Sequence, residues 1–374
     1  MRVSSFDAEN FRMLKHLQLK DLRGLNVFIG PNATGKSAVL EALHHLLDST
    51  QIGFTREIAF RGSPGNTTHI ASDVVLTADD IGGIVEDVAG VAGKPSPPEG
   101  IVKEYVSGFP DRITLTYSGV PPREAGTGLN VGRQVTVDSR GLSDAIQKSL
   151  RPAVRNWDTQ NLNLSGNVGQ SVNRYLPSRT LYLPVHRGVS AVVQVGRPGK
   201  PTPAEVGRWV HRARVEKLAD FDDYEALISR LLAHVKGVVF RTGQNDLRWG
   251  FGEEGLPEMS SADAWSSGTH HLGLFAGAFV FLPKGSVVIA EEPELSLHPG
   301  AIRKMMKEIH ALTDRGSVQF FLTTHSPVVI EGLDPHSKDH TLWRFSRNPD
   351  GSAAAARCDT EGQVEDAINS LLRP

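Results

Sequence analysis

Three short apolar runs, each followed by residues able to do chemistry, organise this chain. Leu25-Asn26-Val27-Phe28-Ile29 reads as a buried strand, and the helical spacing of Leu40, Leu43 and Leu47 places a helix over Ala38–Leu47. Gly285-Ser286-Val287-Val288-Ile289-Ala290 is a second apolar strand and Ser317-Val318-Gln319-Phe320-Phe321-Leu322-Thr323 a third. Apolar and polar residues alternate in Val3-Ser4-Ser5-Phe6 and Leu17-Gln18-Leu19, which predicts small strands ahead of the first buried one. Further strands are expected at Ser72–Leu76, Arg112–Tyr117, Gln134–Val137 and Arg179–Val185. Leu227, Ile228, Leu231, Leu232 and Val235 predict an amphipathic helix from Tyr224. Ile302, Met305, Ile309 and Leu312 form the core stripe of another over 301–312. Leu342–Phe345 and an alanine-rich piece precede a final helix expected around Val364–Leu371.

Between these elements the pattern weakens. Gly90–Gly100, with Lys94-Pro95-Ser96-Pro97-Pro98, and Gly196–Pro201 have loop composition. Leu142–Tyr175 is polar and reads as helix plus loop. No heptad run or internal repeat is present. The motifs divide the chain into an N-terminal lobe over 1–140, a helical or irregular middle insertion over 141–262, and a C-terminal lobe over 263–374.

Composition narrows the class. With 40 basic and 42 acidic residues the formal charge is −2, so no global charge selects nucleic acid or membrane. Residues 187–217 carry Arg187, Arg197, Lys200, Arg208, Arg212, Arg214 and Lys217 against Glu205 and Glu216. That is either a nucleic-acid surface or a solvated helix face. A single cysteine, Cys358, excludes a disulfide framework within these 374 residues and fits a reducing cytosol. The start lacks a signal-like apolar core, and the most apolar stretch, Leu272–Leu282, is too short to span a bilayer; a cytoplasmic protein is expected. No histidine or cysteine spacing predicts zinc.

The chemistry sits at the ends of the buried strands. Residues 30–37 read Gly-Pro-Asn-Ala-Thr-Gly-Lys-Ser, a complete phosphate loop between strand and helix. Gly30 and Gly35 let the backbone curl so that successive N–H groups face phosphate oxygens. Pro31, Asn32, Ala33 and Thr34 complete the loop and Ala38 follows it. Lys36 can reach the β- and γ-phosphates, and Ser37 can ligate Mg²⁺. The second strand ends Glu291-Glu292-Pro293-Glu294, suited to one carboxylate on the metal, Glu291, and one on water, Glu292. The third ends Thr324-His325-Ser326-Pro327, where His325 can contact the γ-phosphate or position water. Ser267 and Gly268, at the start of an apolar helix, offer an anion-binding N-terminus or a plain serine cap.

In this order, phosphate loop, Ser-Ser-Gly-Thr, Glu-Glu-Pro-Glu-Leu-Ser-Leu-His-Pro and Thr-His-Ser-Pro resemble ABC-type ATPases of the RecF/SMC/OLD group. The chain is similar to compact AAA-family relatives of the OLD ATPase domain, and its opening Glu9-Asn10-Phe11-Arg12 fits that group. Resemblance covers about residues 1–80 and 260–335, and Tyr182–Arg187 more weakly. It implies an α/β fold: a P-loop NTPase of the ABC-type ATPase head class, with an antiparallel β subdomain and a mostly helical insertion. It also implies ATP and Mg²⁺ at Gly30–Ser37, Glu291 as the metal-side acid, Glu292 as the catalytic glutamate and His325 as the switch histidine. Ser267 and Gly268 become a signature acting across a head-to-tail homodimer, with Ser296-Leu297-His298 crossing its interface.

Three departures stand out. Glu291 replaces the group's usual aspartate. The signature lacks a second glycine. No Mg²⁺-sensing glutamine is identifiable among Gln160, Gln170 and Gln194. The chain ends soon after the histidine strand, so any nuclease is expected on a separate polypeptide. The resemblance implies an ATP-dependent dimer that controls a partner effector in phage defence or genome maintenance. A RecF-like DNA clamp using Arg208, Arg212 and Arg214 is the alternative, and an ABC transporter subunit is a third reading.

Overall fold

The computed structural model describes residues 1–49, 51–60, 66–91, 111–122, 129–137, 164–185, 202–242, 247–253, 260–261, 265–333 and 337–372. Much of the expected loop at Gly90–Gly100, the segment 142–163 and the loop Gly196–Pro201 lie outside them. The chain forms two compact units, each assembled from separated stretches. The first comprises Met1–Leu22, Glu41–Ser178 and Arg347–Ala354; the second comprises Arg23–Leu40, Arg179–Ser346 and Ala355–Pro374.

The first unit is built on an antiparallel sheet in the order Leu14–Lys20, Ser5–Phe11, Thr68–Val75, Arg112–Gly119, Gln134–Val137, with Arg2–Val3 paired to Thr68–Val75. Thr68–Val75 alternates strictly between buried and half-buried positions, as a strand with one face on a core must. Its described residues include the helices Ala78–Val91, which reaches past Gly90, and Leu164–Tyr175. Arg133 is buried and donates to the Leu46 carbonyl at 2.5 Å and to Asn173 at 2.8 Å, so a guanidinium satisfies a carbonyl in the last turn of a helix.

The second unit holds a six-stranded sheet ordered Thr180–Leu183, Ser286–Glu291, Val318–Thr324, Leu25–Ile29, His340–Arg347, Ala353–Arg357. The first five pair in parallel. Leu25–Ile29 and Val318–Thr324 are buried at every position, which explains why their sequences show no alternation. The register matches Thr324 to Ile29 and Glu291 to Thr323, so these carboxyl ends finish level.

Helix Ser267–Phe281 is apolar around its circumference and buries Leu272, Leu274, Phe275, Ala276 and Ala278. The segment 141–262 contributes strands as well as helices. Val206–Val215 and Ala219–Leu231 are followed by an antiparallel sheet of Val235–Thr242, Leu247–Glu253 and Ser260–Ser261. The amphipathic helix ends at Leu231, and Val235 opens a strand instead of closing the helix. A bulge at Gly237, whose φ is +152°, hides that strand from a local reading.

At the other end of the parallel sheet, Asn26 is fully buried in the strand that precedes the loop. It accepts from the Arg23 amide and the Thr341 hydroxyl at 2.8 Å each, and it donates to the carbonyls of Arg23 at 2.7 Å and Phe320 at 3.2 Å. One amide therefore ties three neighbouring strands. Asn26→Leu leaves these groups without partners and is expected to cost about 3 kcal/mol. Trp209, Trp249, Trp265 and Trp343 lie in this unit. Urea unfolding followed by tryptophan fluorescence reads the loss directly, and an unchanged midpoint would contradict it.

Candidate functional site

The level ends of the parallel strands bring four segments together within the second unit. The phosphate loop leaves Ile29 at Gly30, whose φ is +144° and whose added Cβ would stand 2.3 Å from the Phe345 carbonyl oxygen. Only glycine fits there. Ala33 (φ 57°) and Gly35 (φ 99°) complete the curl, and helix Lys36–Asp48 begins at once. The Thr34 hydroxyl donates to the Pro31 carbonyl at 2.9 Å and fixes the turn. Pro31, Asn32, Ala33 and Ser37 are exposed, while Ala38 is buried.

Lys36 is buried, and its ammonium donates to the carbonyls of Gly30 and Pro31, each at 2.8 Å. Burial pulls its pKa down to about 8, against the opposing pull of the Glu292 carboxylate. Ser37 Oγ donates to Glu291 Oε2 at 3.3 Å, and the Tyr182 hydroxyl donates to Glu291 Oε1. A hydroxyl beside a carboxylate, at a loop shaped for phosphates, is the oxygen donor set that Mg²⁺ takes with a nucleotide. Among the described residues no group of three or more His, Cys, Asp or Glu side chains is placed to hold a metal.

Glu292 has a φ of 43°, held by its amide donating to the Thr323 carbonyl at 2.9 Å. Its carboxylate lies 3.7 Å from His325 Nε2. Burial and the Lys36 charge lower the His325 pKa, with Glu292 opposing, so the imidazole is held neutral near pH 7. Glu294 Oε1 accepts from the Thr324 hydroxyl at 2.6 Å and from the His325 amide at 3.0 Å. Burial pushes the Glu294 pKa up.

The structure thus gathers Lys36, Ser37, Glu291, Glu292 and His325. Gly268 sits elsewhere. Helix Ser267–Phe281 is capped by Ser266, whose Oγ accepts from the Thr269 amide at 3.3 Å. A Cβ on Gly268 would lie 2.7 Å from the Ser296 carbonyl, and His271 Nδ1 is 2.7 Å from the Leu295 carbonyl. Ser267 opens that helix. Gln170 is exposed on Leu164–Tyr175, in the first unit, and Gln160 and Gln194 lie outside the described residues.

The basic segment is locally engaged where it is described. Arg208 is 3.0 Å from Glu205 and Arg212 is 2.9 Å from Glu216. Arg214 lies over the Phe240 and Phe221 rings at 5.2 and 5.7 Å. Arg187, Arg197 and Lys200 fall outside the described residues. Two contacts were not read from sequence as functional, those of Tyr182 and Glu294. Only the place of Tyr182 in a strand and of Glu294 in the acidic motif hinted at them.

Strand order, phosphate loop and facing carboxylates define a P-loop ATPase-type head. Residues 158–331 match the family described as "AAA domain, putative AbiEii toxin, Type IV TA system", and residues 1–86 match the AAA ATPase domain family. Over 46 residues the chain is 41% identical to the DNA replication and repair protein RecF of Nitrosococcus oceani and to that of Pseudoalteromonas atlantica. Those matches cover 12% of this chain and 13% of each relative, so the chain spans about an eighth of the length of the curated relatives it matches. The fold is similar to an SMC head bound to the C-terminal winged-helix domain of ScpA (TM-score 0.56, 12% identity, 97% of this chain and 99% of that one). It is also similar to an SMC head with an extended coiled coil bound to the C-terminal domain of ScpA, derived from Pyrococcus furiosus (TM-score 0.54, 11% identity, 99% of both chains). In fold, motif order and matched segments the chain is similar to ABC-type ATPases of the RecF/SMC group. Among the described residues no helix is long and apolar enough to cross a membrane.

Two outcomes follow from this geometry. A triphosphate bound at this loop would raise the Lys36 pKa above about 8, so nucleotide affinity should be level below that pH. Above it, binding must take up a proton, and affinity should fall by up to about tenfold per pH unit. Titrations from pH 6.5 to 9.5 test this, and affinity rising through that range contradicts it. Glu294→Ala should speed hydrogen exchange at the His325 amide, while Glu294→Gln, which keeps an acceptor oxygen, should not; equal exchange in both variants would dismiss the contact.

Proposed function

We propose that this protein binds ATP with Mg²⁺ and hydrolyses it to ADP and phosphate, and that two copies close head to tail around the nucleotide. The observation that carries the reading is the gathering of Lys36, Ser37, Glu291, Glu292 and His325 at the level strand ends. The amides of Gly30–Ser37 and the Lys36 ammonium hold the phosphates, as the positive φ values at Gly30, Ala33 and Gly35 allow. Ser37 and Glu291 would hold Mg²⁺, which when bound screens phosphate charge and favours departure of the terminal phosphoryl group. Glu292 orients a water and accepts its proton; neutral His325, 3.7 Å away, positions that water or the γ-phosphate.

The dimer is supported by the other side of the same loop. Leu295, Ser296 and His298 are exposed, with Ser296 in the left-handed region (φ 64°), while Gly268 fixes the loop from behind. Ser267 and Gly268 would then face ATP held by the second copy, whose γ-phosphate supplies the differential affinity that closure needs. The closed state would control a separate effector protein in the cytoplasm. The toxin–antitoxin description of one matching family favours defence, and the RecF match favours genome maintenance. DNA contact through Arg208, Arg212 and Arg214 is less favoured, since each already has a local partner. A transporter role is disfavoured by Glu-Glu-Pro-Glu-Leu-Ser-Leu-His-Pro, unlike the sequence typical of transporter subunits.

Glu292→Gln is the decisive variant. It should bind ATP normally, lose turnover by about a hundredfold or more, and accumulate as an ATP-dependent dimer in analytical ultracentrifugation. Turnover equal to wild type would remove Glu292 from its role, and a monomer at saturating ATP would remove the dimer.

A further inference from the structure

The strand Thr180–Leu183 pairs in parallel with Ser286–Glu291, matching Tyr182 to Ile289. Side chains two apart on a strand share a face, so Tyr182, Ile289 and Glu291 project from the same side of the sheet. There the Tyr182 hydroxyl donates to Glu291 Oε1, and Glu291 Oε2 accepts from Ser37 Oγ at 3.3 Å. The two oxygens therefore have different jobs. One is held by a phenol fixed in a parallel strand, and the other is turned toward the hydroxyl at the start of the loop helix. This also accounts for glutamate where the group often has aspartate. The extra methylene carries the carboxylate to a point where both hydroxyls reach it, and an aspartate, shorter by about 1.5 Å, would give up the Tyr182 hydroxyl when it faces Ser37 and the ion.

We propose that Tyr182 is a positioning residue for the divalent cation: its hydroxyl fixes the Glu291 carboxylate so that Oε2 and Ser37 Oγ face the same ion. The proposal rests on the ATP-site reading above. The Tyr182 hydroxyl acts on the carboxylate assigned to the metal, Glu291. Its removal should therefore alter metal affinity and spare metal-free nucleotide binding, a split that a merely structural tyrosine would not produce.

The test uses the full chain with Mn²⁺ as the metal probe and AMP-PNP as the nucleotide. Mn²⁺ binding in the presence of AMP-PNP is followed by electron paramagnetic resonance, and AMP-PNP binding in EDTA by calorimetry. Tyr182→Phe should weaken Mn²⁺ binding by about tenfold or more, as loss of a ligand-orienting partner does, and leave AMP-PNP binding in EDTA within about twofold. In a Glu291→Asp background the same tyrosine change should alter Mn²⁺ affinity by less than about twofold, because the contact is already gone. If wild type binds AMP-PNP and Mn²⁺ but Tyr182→Phe is unchanged, or if the two substitutions multiply, the positioning role is overturned and the ATP site stands. If wild type binds neither probe, the ATP site falls and the role of Tyr182 falls with it.

Discussion

Parallel pairing of strands buried on both faces is the constraint on which the rest of this molecule depends. Leu25–Ile29 and Val318–Thr324 have no solvent-facing side, so chemistry open to solvent can appear only where they end. The register that sets Thr324 against Ile29 and Thr323 against Glu291 makes those ends coincide. A lysine, two glutamates and a histidine, far apart in the chain, then share one edge. Gly30 keeps that edge compact, since its Cα runs against the Phe345 carbonyl where no side chain fits.

Partial burial at one edge sets the protonation of its charged groups. Lys36 and His325 are each partly withdrawn from water, and burial makes both hold protons less tightly. The outcome is a cationic lysine beside a neutral histidine, with Glu292 between them in electrostatic terms. That division suits a site in which one group must attract phosphate and another must handle water.

The loop after the acidic strand makes contacts with several of these parts. Glu292 and Ser296 both adopt positive φ, a conformation that costs non-glycine residues about 1–3 kcal/mol each and persists only where surroundings impose it. Here the surroundings are specific. The Thr323 carbonyl holds Glu292, Glu294 reaches back to Thr324 and His325, and the Ser296 carbonyl closes on Gly268. One strained loop therefore joins the acidic strand, the histidine strand and the start of helix Ser267–Phe281.

Sequence by itself determined what depends on neighbours in the chain. The phosphate loop was legible because its glycines, lysine and serine act through local backbone shape. The buried strands were legible as apolar runs, and helices such as Pro299–Asp314 showed through their periodicity. Tertiary structure decided whatever rests on contacts through space. Tyr182 meets Glu291 across 109 positions and Glu294 meets Thr324 across 30, distances at which no periodicity speaks. The strand at Val235 was hidden because a bulge between Val235 and Gly237 breaks its alternation. Glu205 and Glu216, which engage Arg208 and Arg212, lie within one helical turn and were visible in sequence, whereas the Phe221 and Phe240 rings beneath Arg214 were not. Side-chain type and spacing announce chemistry, but which atoms meet is settled only when the sheet sets its register.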